Sequence, residues 1–201
     1  RDLEERVRQT TPARLLIGRT GGCYRTTTQL ELRSGDAAAV DAVWRSLDPI
    51  RDWGAEFVGE WRLFEVTTAA TSKEEYLRRP DLGRQFSRDS RARLTSECPA
   101  GADLQIVVGD GLSAAAVALQ VPRVLPALFE SARHHGWTAG RPFVVRHCRV
   151  GLLNEIGDLL RPKLVVLLIG ERPGLATAES LSAYLAFEPR PGDTDARRNL
   201  I

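Results

Sequence analysis

The feature that most constrains this chain is a pair of apolar runs without alternation, LQIVV from Leu104 and KLVVLLIG from Lys163. A strand that is apolar at every position has no face to show to water, so it belongs inside a sheet covered on both sides. The segments run in the order LQIVV, a turn at GDGLS, an Ala-rich helix, PRVLPALFESARHHG, FVVRH, GLLNEIGDLL, KLVVLLIG and a last helix through ESLSAYLAF. Strand followed by helix, repeated, predicts parallel strands joined by crossovers. The expected fold is therefore α/β, a Rossmann-like open, mostly parallel sheet over about residues 102–187 with helices on both faces. In such sheets ligands collect at the carboxyl ends of the strands, which directs attention to residues 109–113, 147–151 and 170–174.

Upstream the pattern is more mixed. Leu3 and Val7, four apart among charges, predict a short leader helix ended by Thr10, Thr11 and Pro12. LLIG is apolar, TGG is a turn, and TTTQLELR alternates as a half-buried strand would. Asp36 is expected to cap AAAVDAVWRSL, with Val40, Val43, Trp44 and Leu47 on one stripe, and RLFEVTT supplies another strand. Helical stretches follow around residues 73–77 and 83–96, broken by Pro80, and Pro and Gly cluster in ECPAGAD. The expected organisation is a leader over residues 1–12, a smaller mixed α/β region over 13–98, and the Rossmann-like region over 99–201.

Composition narrows the function. Lys+Arg 28 against Asp+Glu 26, scattered along the chain, gives no basic patch for nucleic acid or a membrane surface. The longest apolar stretch falls far short of the roughly 20 residues that span a bilayer. Cys23, Cys98 and Cys148 are widely spaced and form no CxxC pair, which argues against a disulfide framework or structural zinc and for a reducing cytoplasm. Met is absent even at position 1 and the chain stops at RRNLI, so the sequence reads as a trimmed piece of a longer protein.

Candidate chemistry concentrates on the marked loops. GDGLS leaves a strand and enters a helix, yet lacks GxGxxG and the GKS/T ending; Asp110 and Ser113 either touch a ligand or cap the helix. In IGERPG the charge of Glu171 follows the most apolar strand, placed either to accept ligand hydrogen bonds or to make an internal turn contact with Arg172. His147 and Cys148 are neighbours on a strand and point to opposite faces, which disfavours a shared metal or a dyad. His134 and His135 fall at a helix end, where positive charge is favourable. No set of residues assembles a self-sufficient active site, and the residues alone indicate a ligand-binding α/β domain.

Taken together, GRTGGCYRTTT, EYLRRPDLGR, LQIVVGDGLSAAAV, GRPFVVR, RVGLLNEIGDLL and VVLLIGERPGLATAESLSAYL resemble the small subunits of ethanolamine ammonia-lyases over about residues 13–201. The resemblance implies an adenosylcobalamin-dependent radical enzyme that converts ethanolamine to acetaldehyde and ammonia. It further implies a hetero-oligomer in which a large TIM-barrel subunit binds the amine while the small subunit, inactive alone, covers part of the cobalamin at the interface. The implied location is the cytoplasm, or a bacterial microcompartment within it. Carried over residue by residue, the family's cobalamin contacts fall on Val150 in RVG, on Glu171 in GERPG, and on Leu200, where the family often has Cys. Glu171 would accept a hydrogen bond from the corrin or nucleotide periphery, and Val150 would make an apolar or main-chain contact. The chain departs from the family pattern at His147-Cys148, where Tyr-Gly is expected, at Gly35-Asp36, where Asp-His is expected, and in a longer segment over 48–61. The alternative function is a free-standing α/β domain that binds a nucleotide or phosphorylated metabolite through GDGLS.

Overall fold

The computed structural model describes residues 2–11, 15, 17–174 and 176–201. Its first part comprises α1 (Asp2–Thr10), a hairpin of β1 (Arg19–Thr20) and β2 (Cys23–Tyr24), α2 (Thr26–Trp44), α3 (Pro49–Trp53), α4 (Ala55–Glu60), β3 (Phe64–Thr67), α5 (Lys73–Arg78) and α6 (Arg88–Glu97). The second comprises β4 (Leu104–Gly109), α7 (Ala114–His134), β5 (Phe143–Arg146), α8 (Leu153–Leu160), β6 (Leu164–Gly170), β7 (Leu181–Phe187) and β8 (Arg198–Leu200).

Six strands form one sheet in the order β3-β5-β4-β6-β7-β8. β3, β5, β4 and β6 run parallel, whereas β7 opposes β6 and β8 opposes β7, so three of the five pairings are parallel and the sheet is mixed. β3 comes from the upstream segment yet pairs with β5 from Phe64↔Phe143 to Thr67↔Arg146.

Side-chain alternation sorts the strand residues onto two cores. Val107, Val145, Val165, Leu167 and Ile169 pack with Leu94 of α6 and Leu153 and Ile156 of α8. Ile106, Val108, Val144, Val166 and Leu168 face the other way, against Val117, Val121 and Leu125 of α7. Both faces are covered, as the unalternating runs require, and each fully buried Val or Leu contributes about 1.5–3 kcal/mol. The chain goes from β4 through α7 to β5 on one side, then from β5 through α8 to β6 on the other. The strand order thus reverses at β4, and the crevice expected of such a reversal opens beyond Gly109.

Several local expectations are corrected. TTTQLELR is not a strand; it lies within α2, where Asp36 is an interior residue and not a cap. The more buried positions of α2 are Thr28, Leu32, Gly35, Ala39, Ala42 and Val43, a stripe with steps of three and four that runs on into the Ala-rich stretch and overrides a short alternation. ESLSAYLAF is not a helix; all of it after Glu179 and Ser180 is β7. Leu181, Tyr184 and Leu185 mimic helical spacing, but Leu181, Ala183 and Leu185 pack on one core and Tyr184 and Ala186 on the other, the two-residue period of a strand between covered faces. The Ala-rich stretch and PRVLPALFESARH form a single helix that passes through Pro122 and Pro126. The segment over 83–96 divides into a 3-10 turn at Leu82–Arg84 and α6. Pro12 and Leu16 of the upstream expectations lie outside the described residues.

Pro122 carries no N–H, so the carbonyl of Ala118 one turn earlier has no helical donor. The Trp53 indole of α3 supplies one, donating from Nε1 at 3.1 Å. Trp53, Phe57 and Trp61 continue as an aromatic row, with ring centroids 5.9 and 6.3 Å apart, ending on Phe129 of α7 at 5.0 Å. The segment over 48–61 is thereby fixed to the α7 side of the sheet.

Candidate functional site

Three strand-end loops meet beyond β4. Gly111 has φ +56°, and a Cβ there would overlap the Gly170 carbonyl oxygen. A Cβ on Gly170 would in turn overlap the Ser113 carbonyl, so these loops touch backbone to backbone and only glycine allows it. Leu112 N–H donates to Gly170 O at 3.0 Å and Asp110 N–H to Val145 O at 3.1 Å. Ser113 Oγ accepts from Ala116 N–H at 3.2 Å as the N-cap of α7 and donates to Ala178 O. Ser113 therefore acts as a cap, and two amides of the turn are already engaged by neighbouring strand ends, which weighs against a phosphate cradle there.

The turn after β5 is built around His147, a non-glycine residue at φ +59°. Asp110 is 5% exposed, and its Oδ2 accepts from His147 N–H at 2.9 Å while its Oδ1 accepts from Cys148 N–H at 3.0 Å. Thr68 Oγ1 donates to His147 O at 3.1 Å, Tyr76 Oη to Cys148 O at 2.9 Å, and Arg149 N–H to Gly83 O at 2.9 Å. His147 Nδ1 lies 3.2 Å from Ala70 O, whereas the Cys148 thiol is wholly buried and 3.8 Å from Arg149 O. Burial, reinforced by the Asp110 charge, pushes the Cys148 thiol well up, so it is no thiolate nucleophile.

Sequence reasoning missed the underside of this turn. Tyr76 of α5 is fully buried, with the Arg149 guanidinium 4.3 Å and the Lys73 ammonium 4.9 Å from its ring centroid. His147 stacks on the same ring at 5.7 Å. Burial drives the Tyr76 phenol up, and burial lowers Lys73, opposed by Asp110. Lys73 Nζ donates to Gly111 O at 3.1 Å, tying α5 to the GDGLS turn. The only signal in sequence is a single aromatic among the charges of EEYLRR, too weak to single out.

Val150 opens a 3-10 turn (Val150–Leu152) directly after this network and packs, half-buried, on the α8-side core. Glu171 follows β6, held by Glu171 N–H to Ser180 O at 2.9 Å; its Oε1 accepts from Tyr184 Oη at 3.0 Å, a partner on β7 and not the adjacent Arg172. Tyr184 packs on the same core as Val150. Leu200, 57% exposed, is the register partner of Tyr184 across β7 and β8, and directly opposed residues project on one face. Val150, Glu171 and Leu200 thus share the α8-side face of the sheet.

On that face a groove of about 830 Å³ is lined by Arg84, Arg91, Gly151, Asn154, Glu155 and Arg198 among others. It adjoins Val150 through Gly151 and Leu200 through Arg198. The Arg198 side chain is 5% exposed; it ion-pairs with Asp195 and donates to Asn154 Oδ1 at 2.9 Å, while its Nε is buried without a partner. No group of three or more His, Cys, Asp or Glu among the described residues could hold a metal, and no described helix is long and apolar enough to cross a membrane.

The family model described as ethanolamine ammonia-lyase light chain (EutC) matches residues 1–201. Among curated relatives, the ethanolamine ammonia-lyase small subunit of Clostridium perfringens is 41% identical over 191 residues, 95% of this chain and 63% of the relative. That of Clostridioides difficile is 42% identical with the same coverage, and that of Clostridium acetobutylicum is 38% identical over 95% of this chain and 76% of its own length. The chain therefore spans a little under two thirds of the first two relatives.

Proposed function

Because this chain belongs to the ethanolamine ammonia-lyase light-chain family, we propose that it acts as the small subunit of an adenosylcobalamin-dependent ethanolamine ammonia-lyase. It covers part of the cobalamin where it meets a larger catalytic subunit, and the assembled enzyme converts ethanolamine to acetaldehyde and ammonia. The observation that carries this reading is the common face of Val150, Glu171 and Leu200 beside the groove. The three positions come from three separate loops and strands, and all fall within residues 99–201.

The local chemistry suits the cofactor. A corrin presents a large apolar rim with amide arms, and the face offers Val150 and Leu200 as apolar surface and the Glu171 carboxylate as acceptor. When bound, adenosylcobalamin supplies the adenosyl radical that begins the reaction. This chain contributes position and exclusion of water. Burial, aided by Glu171, raises the Tyr184 phenol, so it keeps its proton and holds Oε1 of Glu171, leaving Oε2 to accept from the ligand. Three free thiols suit a reducing cytoplasm.

The test is gel filtration of this subunit with and without its large partner, following corrin absorbance. Protein and corrin co-elute only when both chains are present, and Glu171→Ala lowers the corrin retained by about tenfold without preventing assembly. Retention unchanged in Glu171→Ala, or a subunit that joins no partner, overturns the reading.

A further inference from the structure

We propose that Asp110 is a positioning residue for the cobalamin face, holding the 147–149 turn in the one conformation that delivers Val150 to it. This inference rests on the function proposed above, and its own support is the geometry of the turn. Successive N–H groups of His147 and Cys148 converge because His147 is left-handed, and two convergent amides form a small concavity for an anion. Asp110 fills it from the end of the adjacent strand, one carboxylate oxygen per amide.

Few non-glycine residues adopt this conformation, histidine more readily than most, and it persists where its surroundings impose it. Here the carbonyls of His147 and Cys148 are bound by Thr68 and Tyr76, but both amides depend on the single carboxylate. Arg149 N–H is fixed to Gly83, and Val150 follows at once. Without the carboxylate two buried donors lose their partner, and the cheapest relief is for His147 to leave the left-handed region, which redirects the chain two and three residues later. Asp110 is too deeply enclosed to touch a large ligand itself, so its effect on the cofactor passes through the turn.

The role is tested in the complete two-subunit enzyme with four forms: wild type, Glu171→Ala, Asp110→Asn, and Asp110→Asn combined with His147→Gly. Cobalamin affinity is read from corrin absorbance, and exchange of the 147 and 148 amides by hydrogen-exchange mass spectrometry. Asn can accept one amide but presents its own NH2 to the other, so Asp110→Asn speeds exchange at the turn and weakens cobalamin binding by about tenfold. Glycine adopts positive φ without penalty, so His147→Gly in the same chain restores affinity toward wild type, a rescue that general destabilisation would not give. If Asp110→Asn fails to assemble, the double variant carries the test: assembly with near-wild-type affinity supports the role, and assembly with weakened affinity overturns it. Unchanged turn exchange in Asp110→Asn overturns the clip itself. If Glu171→Ala weakens binding and Asp110→Asn does not, the positioning role falls while the proposed function stands. If Glu171→Ala has no effect, the proposed function falls and the role with it.

Discussion

At the residue scale, the glycines of the carboxyl edge matter for what they exclude. Gly111 combines a left-handed φ with a carbonyl oxygen where a side chain would go, so Gly111→Ala meets both a backbone penalty and an overlap with Gly170. The expected cost is more than about 2 kcal/mol, measured as a lowered urea midpoint at unchanged slope. Exposed Gly22, with nothing near its added Cβ, is the control and should change little. The sequence made GDGLS legible as a strand-to-helix turn and offered both roles for Ser113, of which the cap is the one observed. It could not reveal that the Asp110 carboxylate serves a turn 37 residues away, because that partnership depends on β4 and β5 lying side by side. Tyr76 was equally hidden, since nothing in EEYLRR announces that its ring would be covered by Arg149 and Lys73.

At the scale of elements, α7 shows how two apparent helix breakers are accommodated. The carbonyl freed by Pro122 is occupied by the Trp53 indole, so the defect in the helix becomes the attachment point for α3. Trp53→Phe in the native background should therefore cost about 1–2 kcal/mol beyond what ring packing accounts for, since it leaves the Ala118 carbonyl unpaired. In a Pro122→Ala background the helix supplies its own donor, and the same substitution should cost measurably less. Unfolding of the four chains of this double-mutant cycle gives the coupling, and additive costs would show that the indole does not replace the missing amide. Elements with long or unambiguous patterns were legible: β4, β6, the α8 stripe and β3 all stand where hydrophobicity put them. The failures at α2 and β7 share a cause. TTTQLELR and LSAYLAF are short enough to satisfy both a two-residue and a 3.6-residue period, and tertiary neighbours decided between them.

For the whole molecule, stability is bounded by pH from both sides. On the alkaline side burial raises Cys98 to about 11 and pushes Cys148 well above its ordinary value, so the folded chain keeps protons that the unfolded chain begins to lose near pH 9. Stability should fall as pH rises from about 9, by at most about 1.4 kcal/mol per pH unit for each thiol. On the acid side, hydrogen bonds from Lys163, Arg93 and Arg197 hold Asp103, Glu97 and Asp193 below the usual carboxylate range. Their support is present above the unfolded carboxylate range and is lost as pH falls through the lowered values. Urea midpoints between pH 2 and 11 check both limbs, and Cys98→Ala should flatten the alkaline one. The covered α/β sheet was legible from two apolar runs, whereas its antiparallel end was not, because β7 is half-buried and short enough to read as a helix and β8 is a three-residue edge strand that is largely exposed. That sheet separates two cores with no side chain in common, the aromatic row and the 48–61 segment on one side, Val150, Glu171 and Leu200 on the other. Substitutions in α3 and α4, their tryptophans included, are therefore expected to be compensated within the α7-side core. Such changes meet the sheet before they reach the face of Val150, Glu171 and Leu200, so the two halves of the molecule can vary separately.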